Sequence, residues 1–168
     1  MNTEEVLLLK HPVIVILLLI LTTMVGCQSD TEAVPKAEMF GIMVQTSRNL
    51  QANEVFSVNS SLINNSKSSW KIEHGASMFT YEAYDMNGKL VQQNVKERFV
   101  DAIGYVTTLN SKDSYSYDEG EHVSPKYNEL LLQEGSYEVI SKAKFRIKKD
   151  EKEFDFEIES KPFKIDVY

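Results

Sequence analysis

A single cysteine in 168 residues excludes an internal disulfide framework and any zinc site built on paired cysteines. Histidine is scarce too. Of the three, only His74 and His122 lie downstream of residue 26, and neither has a second ligand at metal-binding spacing. Basic residues are outnumbered 18 to 25, for a formal net charge of −7. A chain of this balance lacks the basic face that nucleic-acid phosphates require. Phosphate loops and dinucleotide fingerprints are absent. The many serines, Ser57, Ser60, Ser61, Ser66, Ser68 and Ser69 among them, never fall in a Gly-x-Ser-x-Gly elbow. There is no internal repeat and no long helical pattern. These absences together leave no catalytic set, no metal and no cofactor to expect. His122 does close an acidic run, Asp118-Glu-Gly-Glu-His122, but that run lacks the alternating oxygen donors of a calcium loop and reads as a solvated acidic loop.

What is present begins with an address. Residues 12–26 carry no charge, Lys10 and His11 precede them, and Cys27 follows directly. At about 1.5 Å per residue such a run is shorter than the roughly 20 residues needed to cross a bilayer, and it matches the apolar region of a signal peptide. A short membrane anchor with an incidental cysteine is the alternative. The end of the run, Met24-Val25-Gly26-Cys27, resembles the lipobox of bacterial lipoprotein precursors. The resemblance implies cleavage of residues 1–26 and a diacylglycerol on the Cys27 sulfur. It further implies a protein held by its lipid at the extracytoplasmic face of the cell membrane. Two or more acyl chains on one residue give stable anchoring where one does not. Residues 27–38 then read as the lipidated cysteine and a flexible tether, which fully extended reaches roughly 35 Å from the lipid.

From residue 39 to 168 the pattern is short runs of period two. Phe40, Ile42 and Val44 form the first, and Phe56, Val58, Ser60 and Leu62 the second, which ends in the turn cluster Asn64-Asn65-Ser66. Trp70 and Ile72 follow, then Phe79, Tyr81 and Ala83. Asn87-Gly88 supplies the strongest short hairpin signal, two residues that tolerate positive φ, with a return through Leu90 and Val91. Another extended stretch lies between Phe99 and Leu109. Residues 111–128 are polar and turn-like, and residues 127–133 predict one or two turns of helix. Downstream, two runs fold around Lys149 to Lys152 in a single satisfying register. Phe145 meets Phe156 and Ile147 meets Phe154 on one face. Arg146 meets Asp155, Lys144 meets Glu157 and Lys142 meets Glu159 on the other. At Ser160-Lys161-Pro162 the inward parity shifts, which predicts a bulge or a crossing from one sheet to the other. Seven or eight such strands make an antiparallel β-sandwich.

The stretch Gly135-Ser136-Tyr137-Glu138-Val139 looks like the tyrosine corner of immunoglobulin-like domains, with Tyr137 as the corner residue. From Val55 to Ile147 the chain resembles the bacterial intracellular proteinase inhibitor family, itself immunoglobulin-like. The carriers are Phe56-Ser-Val-Asn-Ser-Ser-Leu-Ile-Asn-Asn-Ser66, Met78-Phe-Thr-Tyr-Glu-Ala-Tyr-Asp-Met-Asn-Gly-Lys-Leu-Val91, Arg98-Phe99-Val100 and Gly135 to Val139. The resemblance implies an immunoglobulin-like sandwich and, as one functional reading, proteinase inhibition at the cell surface. The other reading, from the residues alone, is a non-enzymatic binding module for an envelope or secreted protein. Its contacts are expected in loops 64–69 and 111–128, at Tyr115, Tyr117, His122 and Tyr127, because exposed aromatics on loops anchor partners. The competing expectation is that these aromatics fold back over the end of the sandwich.

Overall fold

The structure is a computed structural model that describes residues 34–168 except Asn94; the signal segment, Cys27 and most of the tether lie outside the described residues. Pro35–Tyr168 forms one compact unit. Its strands are β1 (Phe40–Thr46), β2 (Val55–Asn64), β3 (Trp70–Gly75), β4 (Phe79–Asp85), β5 (Phe99–Val100) and β6 (Gly104–Leu109). They continue with β7 (Ser114–Ser116), β8 (Val123–Ser124), β9 (Glu129–Leu131), β10 (Gly135–Lys149), β11 (Lys152–Glu159) and β12 (Phe163–Val167). The only helical element among the described residues is a single 3-10 turn, Ala37–Met39. No helix there is long and apolar enough to cross a membrane.

Two strands organise everything else. β2 is flanked by β1 on one side and by β9 and then β7 on the other, which makes the first sheet. β10 is 15 residues long and crosses the whole second sheet. Along one side it pairs with β12 and then β11; along the other it pairs with β4 and then β3, and β3 carries β6 at the edge. A two-stranded ribbon, β5 with β8, stands apart. All these pairings are antiparallel. The fold is an all-β immunoglobulin-like sandwich.

The period-two pattern accounts for the interior. Phe56, Val58, Leu62, Trp70, Ile72, Phe79, Phe145 and Ile147 are buried, each worth about 1.5–3 kcal/mol relative to exposure. Phe145 stacks on Phe156 at 5.2 Å between ring centres, and Phe40 meets Phe145 edge-on at 5.1 Å. Ser60 and Ser141 are the polar members of otherwise apolar faces. They meet across the two sheets, Ser60 Oγ donating to Ser141 Oγ at 2.8 Å, so neither buried hydroxyl is stranded. Tyr137 sits at the entrance of β10 and its hydroxyl donates to the Gln133 carbonyl at 3.1 Å, the back-bond of a tyrosine corner.

The β10–β11 register is the one read from the pattern, Phe145 opposite Phe156 and Arg146 opposite Asp155. Its turn holds Asp150 and Glu151 at φ of 49° and 62°. Two successive positive φ values suit Asn-Gly, whereas side chains there cost about 1 kcal/mol or more each. Replacing Asp150 by Asn together with Glu151 by Gly should therefore raise stability by about 1 kcal/mol in urea unfolding. No gain would mean that the turn carries no such cost.

Four expectations need correction. The hairpin at Asn87-Gly88 forms, with Tyr84 opposite Leu90, but its loop is longer than the tight one expected and only Gly88 has positive φ, 75°. The Asp85 side chain accepts the N–H groups of Asn87 and Lys89, at 2.9 and 3.0 Å. That arrangement closes a three-residue loop ending on Gly88 instead of a two-residue one. Residues 127–133 are not helical: after a turn at Tyr127-Asn128, β9 buries Leu130 and leaves Leu131 half exposed, and Leu132 is buried in turn. Three consecutive leucines fit either period, and pairing with β2 chose two. The polar stretch 111–128 contains β7 and β8 and is not loop throughout. At residues 160–162 the bulge is present but the sheet switch is not. Ser160 holds Ser141 through its backbone N–H and its hydroxyl, at 2.8 and 3.0 Å, so β12 stays on the same side of β10 as β11.

Candidate functional site

The loop over residues 64–69 closes on itself. Asn64 is fully buried at the end of β2. Its Nδ2 donates to the carbonyls of Ser68, Leu109 and Asn110 at 2.7, 3.2 and 3.0 Å. Its Oδ1 accepts the Ser66 N–H at 3.0 Å and hydroxyl at 2.7 Å. Ser66 Oγ in turn accepts the Trp70 indole N–H at 3.0 Å, and Ser111 Oγ donates to the Ser66 carbonyl at 2.8 Å. Asn64, Ser66 and Ser68 thus hold the β2–β3 and β6–β7 connections together, while Asn65, Lys67 and Ser69 stay exposed.

Tyr115 and Tyr117 are half-buried and turn toward β3 and β6, the folded-back arrangement of the two that were expected. His74, on β3, is 6% exposed. Its Nδ1 is 2.8 Å from the Gly75 carbonyl and must carry the proton; Nε2 then accepts from the Tyr115 hydroxyl at 3.0 Å. Tyr105 stacks on the imidazole at 5.2 Å, and Tyr117 meets it edge-on at 4.7 Å. Burial pushes the His74 pKa below its ordinary 6.5 and pushes Tyr115 and Tyr117 upward. A neutral imidazole enclosed by three tyrosines is a packing device for the β6–β7 side of the sandwich.

His122 and Tyr127, also half-buried, meet residues 98–101, which the sequence offered only as carriers of the family resemblance and the start of an extended stretch. The 118–127 arch lies against residues 98–101 through the β5–β8 ribbon, Val100 opposite Val123. The Arg98 guanidinium lies 3.9 Å above the centre of the Tyr127 ring, and its Nε donates to the Pro125 carbonyl at 2.7 Å. His122 Nδ1 is 3.0 Å from Asp101 Oδ2, both side chains partly in solvent. Asp118 pairs with Lys126 at 3.1 Å. Beneath them Glu119 is 2% exposed. Its Oε2 accepts the Tyr127 N–H at 2.8 Å, whereas its buried Oε1 has no partner among the described residues. Burial lifts its pKa from 4.5 to about 7 against the opposing pull of the Tyr127 N–H, Arg98 and Lys126. Phe99 is 72% exposed next to this group. A hollow of ≈ 290 Å³ adjoins it, with Arg98, Tyr127, Gln93 and Tyr81 in its wall.

This rim offers an aromatic ring, a stacked guanidinium, an exposed phenyl and a His–Asp pair on one surface. Such a mixture suits protein contact, since aromatic and arginine side chains dominate binding hot spots. It does not suit acyl transfer or hydrolysis. Among the described residues no group of three His, Cys, Asp or Glu converges on a metal position. The hydroxyl that bonds a histidine there is the phenol of Tyr115, inside the packing group. Arg98, Asp101 and Glu119 carried no motif as site residues. The nearest signal was the acidic run around Glu119, and nothing in it told which carboxylate is enclosed.

No family model matches the chain, and no curated protein matches it. Among solved structures it is similar to the CARDB domain of the PF1109 protein from Pyrococcus furiosus, a structure in complex with di-metal ions. The identity is 11%, the TM-score 0.36, and the match covers 84% of this chain and 99% of that one. It is also similar to the ASH/PapD-like domain 7 of human CEP192, at 10% identity and a TM-score of 0.30, covering 82% and 96% of the two chains. Likeness at this level speaks neither of ligand nor of partner.

Proposed function

We propose that this chain is a bacterial lipoprotein, held at the extracytoplasmic face of the cell membrane through a lipid on Cys27. Its immunoglobulin-like domain is a non-enzymatic module that binds an envelope or secreted protein. The uncharged run over residues 12–26, ended by Cys27, supports the anchor. The rim supports the module: Arg98 stacked on Tyr127, beside exposed Phe99 and the His122–Asp101 pair, is carried on a rigid sandwich with no hydrolytic arrangement around it.

The test is in-cell crosslinking of the tagged full chain from the membrane fraction, beside Cys27→Ala and Arg98→Ala. A protein recovered with the wild type is expected to be lost with Cys27→Ala. It is expected to fall by about 30-fold in affinity with Arg98→Ala, the size of a central hot spot. Equal recovery from the soluble fraction without Cys27 would overturn the anchor. Undiminished binding by Arg98→Ala, with the domain folded, would overturn the rim.

A further inference from the structure

Sheet edges in a sandwich present unpaired N–H and C=O groups, and most edges of this domain are blunted. β11 carries Lys152, Glu153, Asp155, Glu157 and Glu159 along its eight residues. β1 faces residues 159–163 across a groove of ≈ 430 Å³. β7 and β9 are three residues each. β6 is different. Among the described residues it pairs with β3 alone, it is six residues of Gly-Tyr-Val-Thr-Thr-Leu, and no charge or proline occurs from Ala102 to Ser111. On its outward face Val106 is 57% exposed, and neighbouring Ile103 and Val100 are 39% and 41% exposed.

We propose that β6 is a self-association strand, two copies of the chain pairing their β6 edges antiparallel about a two-fold axis at Val106. The register follows from three observations. Opposed residues of an antiparallel pair share a face, so Gly104, Val106 and Thr108 must meet one another and not Tyr105 or Thr107. The Leu109 carbonyl is already held by Asn64 Nδ2, which leaves residues 104–108 as the pairing span and Val106 as its centre. Gly104 lies opposite Gly75 on β3, where two absent side chains open a trough of ≈ 690 Å³ on the outer face, and a Cβ at Gly104 would meet nothing within 4 Å. In the Val106-centred register Thr108 of the second copy stands beside that opening. The span 104–108 holds no charged residue, so no like charges meet across the pairing although the chain is acidic. The sheet β11-β10-β3-β6 becomes continuous through both copies, and its new main-chain hydrogen bonds supply the affinity. The β6 edge adjoins the Arg98–Tyr127 rim at Tyr105, which meets His122 edge-on, but carries none of the rim's own residues, and the pairing stands whether or not that rim binds a partner.

The test uses the full chain in detergent with Cys27→Ala to remove the native thiol. Val106→Cys is expected to form a disulfide-linked dimer on mild oxidation, because only the residue on the axis faces its own copy. Thr108→Cys should not, since its copies lie four residues apart along the strands, about 13 Å, beyond the roughly 7 Å a disulfide spans. Val106→Lys, an exposed change, should weaken association at least tenfold in density-matched sedimentation while leaving the thermal midpoint in place. A single-chain mass for the wild type at all concentrations would overturn the proposal and leave the edge for another protein's strand. Failure of Val106→Cys to crosslink, or equal crosslinking by Thr108→Cys, would overturn it as well.

Discussion

Asn64→Ala is expected to destabilise the domain by about 3 kcal/mol, the largest loss from any single polar side chain described above. Each net hydrogen bond is worth about 0.5–1.5 kcal/mol, and a buried partner left unmade costs about 1–3 kcal/mol more. Asn64 serves three carbonyls and two donors from a fully buried position. Water cannot replace it without opening the joint between the β2–β3 and β6–β7 connections. Ser66→Ala removes fewer contacts and should cost about 1 kcal/mol. Urea unfolding measures both. A loss below about 0.5 kcal/mol for Asn64→Ala would show that the two connections hold their shape without it.

The second large effect is in pH, where two buried groups act with opposite sign. Glu119 titrates at about 7 when folded and near 4.5 when not. Between those values the unfolded chain has released the proton that the folded chain keeps. Stability therefore falls as pH rises from 4.5 to 7, and the loss is complete above 7. Each unit of difference is about 1.4 kcal/mol, and allowing for screening near the surface the effect is on the order of 2 kcal/mol. His74 runs the other way. Its folded pKa lies below 6.5 because burial penalises the imidazolium. Its contribution is complete above 6.5 and is lost as pH falls below that, when the unfolded chain takes up a proton the folded chain refuses. The two slopes overlap below pH 6.5 and partly cancel.

Glu119→Gln keeps an oxygen for the Tyr127 N–H and removes the charge. It should be more stable than the wild type by about 2 kcal/mol at pH 8 and equal to it near pH 4.5. With the Glu119 slope gone, stability should rise as pH climbs to 6.5 and then level, which is the His74 limb alone. Urea unfolding at pH 4.5, 6 and 8 checks this. A variant that tracks the wild type at all three would mean that Glu119 is ionised and solvated in the folded chain.

The parts of this molecule that could be read in advance share one property: two independent patterns had to agree. The β10–β11 pairing satisfies an aromatic face and an ion-pair face in one register. A slip by one residue would break both. Tyr137 was likewise legible as a corner because its partner, the Gln133 carbonyl, is four residues away and travels with it. The three leucines at 130–132 had no second pattern to choose between periods two and 3.6, and the strand they pair with, β2, is about seventy residues upstream.

The rim shows the same division. Tyr115, Tyr117, His122 and Tyr127 look alike in sequence, aromatic side chains in a polar stretch. What separates them is which element lies against them. His74, 41 residues upstream of Tyr115, draws Tyr115 and Tyr117 inward. Asp101 and Arg98 hold His122 and Tyr127 against residues 98–101. Glu119 is indistinguishable from Glu121 in the acidic run, yet one is enclosed and the other exposed. The sequence by itself determined an all-β sandwich, its aromatic interior and the register of its last hairpin, because alternation and charge pairing act between neighbours on a strand. Only the tertiary structure decided which polar and aromatic side chains are enclosed, which edge is left bare and where a partner can touch. Burial is set by residues distant in the chain, and no local pattern records it.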